Sequence, residues 1–80
     1  MKLPRDISAR ELLTRLRRLD YEVERQTGSH IQLRRETGGK QHITVPAHTP
    51  LKVGTLSAIV RLVAQQVGLP REEVIRALFD

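Results

Sequence analysis

Apolar positions along the chain follow two rhythms. Leu12, Leu13, Leu16 and Leu19 recur at helical spacing behind Ser8-Ala9-Arg10-Glu11, which has the form of a capping box, Ser8 capping and Glu11 reaching back. Residues 1–7 read as a lead-in, and the pattern predicts a first helix from about Ala9 to Leu19, with Arg10, Thr14, Arg17 and Arg18 off the leucine stripe. From Tyr21 the period becomes two. Tyr21 and Val23 alternate with Glu22, Glu24 and Gln26; Ile31 and Leu33 alternate with His30, Gln32 and Arg34; Ile43 and Val45 alternate with His42 and Thr44. Thr27-Gly28-Ser29 and Thr37-Gly38-Gly39 are the turns between these runs, and Pro46 ends the ladder or sits at its edge. The helical rhythm then returns. Gly54 precedes Thr55, which fits an N-cap, and Leu56, Ile59, Val60, Val63 and Val67 form a stripe that Ala58 and Leu62 widen; Gly68 fits the C′ position. Pro70 opens a short last helix carrying Val74, Ile75, Leu78 and Phe79, with Glu72 spaced to pair with Arg76.

The order is α-β-β-β-α plus a terminal helix. Two helices need a surface for their stripes, and a three-stranded antiparallel meander with one apolar face supplies it, giving a two-layer α+β domain over residues 1–80. The same order and layering describe the double-stranded-RNA-binding-domain architecture.

Register can be read from the turns. A first turn centred on Gly28 sets His30 opposite Gln26, Gln32 opposite Glu24 and Arg34 opposite Glu22. A second centred on Gly38 sets His30 opposite Pro46, Gln32 opposite Thr44 and Arg34 opposite His42. Both leave His30, Gln32, Arg34, His42 and Thr44 on the open face, since a one-residue slip would expose the apolar set. His48 leaves the third strand close to His30.

Charge adds a partner class. Fourteen Lys and Arg, eleven of them Arg, face nine Asp and Glu for a net charge of +5. Guanidinium forks suit phosphate, so a polyanion is the natural partner, although a basic surface also serves solubility alone. With Tyr21 and Phe79 as the aromatics, stacking platforms are scarce, which favours a partner read through phosphates and shape. Cysteine is absent, which excludes disulfides and thiolate metal sites; the histidines lack tight ligand spacing, and no metal or other cofactor is expected. Neither a signal-peptide stretch nor an apolar run long enough for a membrane span is evident, so the expected location is the cytoplasm.

RNA can be cut without a metal when one group takes the 2′-hydroxyl proton and another protonates the leaving 5′-oxygen. Histidine serves either role near neutrality, and cations stabilise the charge that builds on phosphorus. His30 at the mouth of a tight turn, with His48, Arg34 and Lys52 near, has that chemistry, and the Lys52-Val53-Gly54-Thr55 segment brings a helix start whose N–H groups can hold a phosphate. Each element also has a plain reading: a polar sheet face, ordinary turn residues, an Arg34–Glu22 cross-strand pair, a simple helix start.

Three segments resemble one family. Thr27-Gly28-Ser29-His30 is similar to the Gly-Ser-His signature of HicA toxins, Val45-Pro46-Ala47-His48 to their Val-Pro-x-His segment, and Gly54-Thr55-Leu56 with Ile59 to their Gly-Thr-Leu-x-x-Ile helix start. Leu12, Leu16, Leu19 and Tyr21 also fall where that family has its first helix and the aromatic after it, so the likeness runs from about Leu3 to Phe79. The resemblance implies a ribonuclease toxin that cleaves mRNA, with a fold similar to the double-stranded-RNA-binding domain. It implies His30 as the catalytic residue, and a HicB antitoxin that masks the site. His48 is the second acid/base candidate, and Ser29, Arg34, Lys52 and Thr55 are the candidate phosphate contacts. Ala47 departs from the basic residue common before the second histidine, and Lys52 alone remains where several members carry more lysines. The competing readings are a non-catalytic module for structured RNA, with Arg17, Arg18, Arg34 and Lys52 on phosphates, and a protein-interaction module.

Overall fold

The structure, a computed structural model, describes residues 3–80. Helix α1 spans Ala9–Leu16 and tightens into a 3₁₀ turn over Arg17–Leu19, together filling the expected first helix. Ser8 caps it, its Oγ accepting the Glu11 N–H at 3.1 Å. Asp20 takes a left-handed conformation at φ 71°, and the chain turns directly into the sheet. Strands β1 (Glu22–Thr27), β2 (His30–Arg35) and β3 (Gln41–Pro46) pair antiparallel in the order β1-β2-β3. Helices α2 (Val53–Val67) and α3 (Arg71–Phe79) follow, so the α+β architecture is α-β-β-β-α-α, consistent with a double-stranded-RNA-binding-domain-like fold.

The core lies where the helices meet one face of the sheet. Leu12 and Leu16 from α1, Ile31 and Leu33 from β2, Ile43 and Val45 from β3, Leu56, Val60 and Val63 from α2, and Val74, Ile75 and Leu78 from α3 are all buried together. Each such aliphatic side chain taken out of water contributes about 1.5–3 kcal/mol before ordering entropy is counted. Ile7 and Leu51 are buried in the same cluster although both fall in segments that read as lead-in and loop. One backbone bond ties them, Leu51 N–H donating to Ile7 C=O at 2.8 Å.

The β2–β3 register is the expected one: His30 faces Pro46, Gln32 faces Thr44 and Arg34 faces His42. The β1–β2 register differs near the turn. The loop is the two residues Gly28 and Ser29, with Gly28 at φ 58°, so Thr27 pairs with His30, Gln26 with Ile31 and Arg25 with Gln32. A bulge between Val23 and Arg25 then absorbs the extra residue, Glu24, and Glu22 meets Arg34 as the alternation requires. Gln26 consequently lies on the helix side, and Arg25 replaces Glu24 opposite Gln32. Val23 does face the helices but stays 47 % exposed, because β1 is an edge strand that the core barely covers.

Two helix ends also differ from expectation. Helix α2 begins at Val53 with Lys52 in the N-cap position, so Thr55 sits within the first turn and caps nothing. In α3 the acidic partner of Arg76 is Glu73, at 3.2 Å, the i,i+3 neighbour in place of Glu72.

Three arginines bind the far end of the fold. Arg15 donates to Leu78 C=O at 2.9 Å, and Arg18 donates to the carbonyls of Ala77, Leu78 and Asp80 at 3.1–3.3 Å. Both guanidiniums thus satisfy carbonyls at the negative end of α3. Arg35 donates to Leu19 C=O at 3.0 Å, Thr37 C=O at 2.8 Å and Gln41 Oε1 at 2.9 Å, and lies over the Tyr21 ring. Burial pushes the Tyr21 phenol above its ordinary value, and the nearby Arg35 charge pulls it partly back.

Candidate active site at the sheet–helix corner

His30 is the first residue of β2 and projects from the open face beside the Gly28-Ser29 turn, exposed to solvent. The chain beyond β3 returns to the same corner. Pro46 pairs with His30, Ala47 N–H donates to Ser29 C=O at 2.7 Å, and Ala9 N–H donates to His48 C=O at 3.1 Å. The His48 loop is therefore pinned on one side by the hairpin turn and on the other by the start of α1. The Leu51–Ile7 bond and the buried Leu51 side chain anchor its far end, so Lys52 enters α2 from a fixed position.

These constraints enclose a shallow hollow of about 260 Å³ lined by His30, Pro46, His48, Leu51, Lys52 and Thr55. Two imidazoles, one ammonium and one hydroxyl thus share one depression at the N-terminal end of a fifteen-residue helix. That helix has no side-chain cap and no acidic residue in its first turn, so its first N–H groups are left without a partner of its own to satisfy them. Such a corner can accept an anion and can carry protons to and from it.

The remaining candidates are placed differently. Ser29 stands in the turn beside His30 and engages the loop through its carbonyl. Arg34 lies outside the hollow. It is four residues along β2 from His30, roughly 13 Å at the rise of a strand, and its guanidinium is 3.7 Å from Glu24 and 3.5 Å from Glu36. His42 shares that end of the face, its Nε2 3.1 Å from Glu24 Oε2. Arg18 is occupied by carbonyls at the end of α3, whereas Arg17 is exposed beside Asp20. Among the described residues, no group of three or more His, Asp or Glu is placed to hold a metal ion, and no helix is long and apolar enough to cross a membrane.

Sequence reasoning missed two parts of this region. Leu51 forms the floor of the hollow, and its one signal was an apolar residue isolated in a polar, proline-bearing loop. Arg25 reaches the open face through the bulge, which alternation alone does not announce.

The profile described as "HicA toxin of bacterial toxin-antitoxin" matches residues 9–69. The chain belongs to the HicA toxin family. This HicA toxin is accordingly the toxin component of a toxin–antitoxin module, and a cognate antitoxin is its partner. The matched span holds the whole hollow and stops before α3, the helix held by Arg15 and Arg18. No curated protein and no solved structure gives a significant match.

Proposed function

We propose that this HicA toxin is a metal-independent endoribonuclease that cleaves mRNA in the cytoplasm, its 80 residues acting as one catalytic domain. The observation that carries the reading is the convergence of His30, His48, Lys52 and Thr55 on one hollow at an uncapped helix start. His30 takes the proton from a ribose 2′-hydroxyl, and the freed oxygen attacks the adjacent phosphorus. The bond from phosphorus to the 5′-oxygen breaks, and a proton from the His48 imidazolium neutralises the departing oxygen. The products are a 2′,3′-cyclic phosphate and a 5′-hydroxyl. Lys52, Thr55 and the first N–H groups of α2 hold the charge gathering on the non-bridging oxygens, which is where fixed donors are most effective. Ser29 contacts the same phosphate from the turn, and Arg34 exchanges its partly exposed ion pairs with Glu24 and Glu36 for a phosphate farther along the strand. A HicB-like antitoxin covers the hollow in the complex and silences it.

The test is incubation of mRNA with wild-type protein and with His30→Ala in EDTA. Wild type cleaves at an undiminished rate, while His30→Ala falls by at least about 100-fold. Its circular dichroism is unchanged, because the side chain is exposed and supports no packing. Cleavage by a folded His30→Ala protein removes the role given to this residue. Loss of wild-type activity in EDTA removes the metal-free mechanism. Salt-sensitive binding with no products would make the chain a binding module for RNA.

A further inference from the structure

The open face of the sheet carries a second polar depression, of about 400 Å³, lined by Glu24, Arg25, Gln32 and His42. Its chemistry is set by the β1 bulge. With uninterrupted alternation Glu24 would stand opposite Gln32, and the pair would offer a carboxylate. With the bulge, Arg25 takes that place, and its Nε donates to Gln32 Oε1 at 2.9 Å. Glu24 is turned toward His42 and Arg34 and is engaged by both. Gln32 has spent its oxygen on Arg25, so what it presents outward is its amide N–H₂. Among the described residues no carboxylate lies in ion-pair range of Arg25, so its terminal guanidinium nitrogens also point N–H groups outward. The Arg25–Gln32 pair therefore presents two adjacent donors at the centre of the face, while the Glu24 carboxylate at its margin is engaged by His42 and Arg34.

Its position matters as much as its polarity. Gln32 is two residues along β2 from His30, roughly 6.7 Å, while stacked nucleotides climb about 3.4 Å each. A strand with its scissile phosphate at His30 thus brings a base one or two nucleotides away over the Arg25–Gln32 pair. Sequence-reading proteins commonly stack unpaired bases on aromatic or Arg planes and bond their edges, and this depression offers the His42 ring beside the Arg25–Gln32 pair. Two adjacent donors, the Arg25 guanidinium and the Gln32 amide, favour an edge with two adjacent acceptors. Guanine presents that edge through N7 and O6; adenine and cytosine each put an amino donor into the corresponding edge.

We infer that Arg25 and Gln32 form a nucleobase subsite of this toxin, selective for guanine in single-stranded RNA one or two nucleotides from the phosphate at His30. The location relative to cleavage rests on the ribonuclease reading above; the binding preference does not.

The experiment uses the full chain carrying His30→Ala, which holds RNA without consuming it, and short fluorescent oligoribonucleotides of one uridine-rich sequence with a single G, A or C placed centrally. Anisotropy titrations give the G oligomer roughly tenfold tighter binding than the others, the range expected for one bidentate guanidinium–guanine contact. Adding Arg25→Ala brings the affinities to within about twofold of each other, and the Arg25 Nε–Hε resonance shifts on titration of the G oligomer alone. Cleavage sites of the wild type on mixed-sequence RNA are mapped in parallel. Equal binding of all oligomers, or a guanine preference that survives Arg25→Ala, overturns the subsite while leaving the nuclease standing. A guanine preference lost in Arg25→Ala, with no cleavage by wild type, upholds the subsite and removes the nuclease.

Discussion

The two ends of this small fold use their cations in opposite ways. At the far end, Arg15, Arg18 and Arg35 are turned inward onto carbonyl oxygens, where they close a helix terminus and bind the first turn to the sheet. At the His30 corner, Lys52 lines an open hollow, and Arg25 meets one neutral amide. A net charge of +5 conceals this division. Guanidiniums that donate to backbone carbonyls are structural and unavailable to a phosphate, while those held only by solvent, a neutral amide or a partly exposed ion pair can exchange these for a polyanion. The lesson is that a count of basic residues does not say which of them are free for a partner, whereas the hydrogen-bond partners of each do.

Three substitutions sharpen the contrast. The largest effect falls at the open corner. His48→Ala lowers the cleavage rate about 100-fold, close to 2.7 kcal/mol of transition-state stabilisation, with the thermal midpoint unmoved. A variant that cleaves normally would shift the proton donor to another group. Next is Arg35→Ala at the closed end. Losing its four charge-assisted bonds, the longest at 3.5 Å to Gln66 C=O, and the cation over Tyr21 costs about 2 kcal/mol in denaturant unfolding, with cleavage per folded molecule unaltered. If that variant unfolds normally but binds RNA poorly, the two ends are not divided as described. Smallest is Tyr21→Phe, which removes the 2.6 Å bond to Gln66 and costs about 1 kcal/mol near neutrality. Its pH dependence has a definite sign. The folded phenol holds its proton to higher pH than the unfolded one, so its share of stability is intact below the ordinary value of 10.0 and is lost as pH rises beyond it. Wild type should weaken on entering that alkaline range, and Tyr21→Phe should weaken less steeply; parallel curves from urea melts at stepped pH would contradict this.

The same division explains what could be read from the amino-acid order. Strands β2 and β3 were legible because one side of each is buried against helices, which forces Ile31, Leu33, Ile43 and Val45 into a strict period. Strand β1 has no such constraint. Every one of its residues is exposed, so Glu24 and Arg25 are equally acceptable to the core on either face, and the turn decides between them. The two-residue loop displaced the near-turn pairs by one position, and the bulge restored them by Glu22. The closeness of His30 and His48 followed from register alone. The start of α2 did not, because Thr55 has good capping chemistry but Lys52 already has the extended backbone that lets the helix begin at Val53. The inward roles of Arg15, Arg18 and Arg35 depend on contacts up to 63 residues apart, which no local pattern encodes.

The irregularity at Glu24 has a consequence for the fate of the molecule in bulk. An outermost strand bared along its length is a template on which a second chain can add, and repeated addition ends in fibres. An inserted residue breaks the even ladder of donors and acceptors and coils the margin of the sheet away from a flat approach. The bulge at Glu24 thus makes the exposed margin of this sheet a poor template for strand addition.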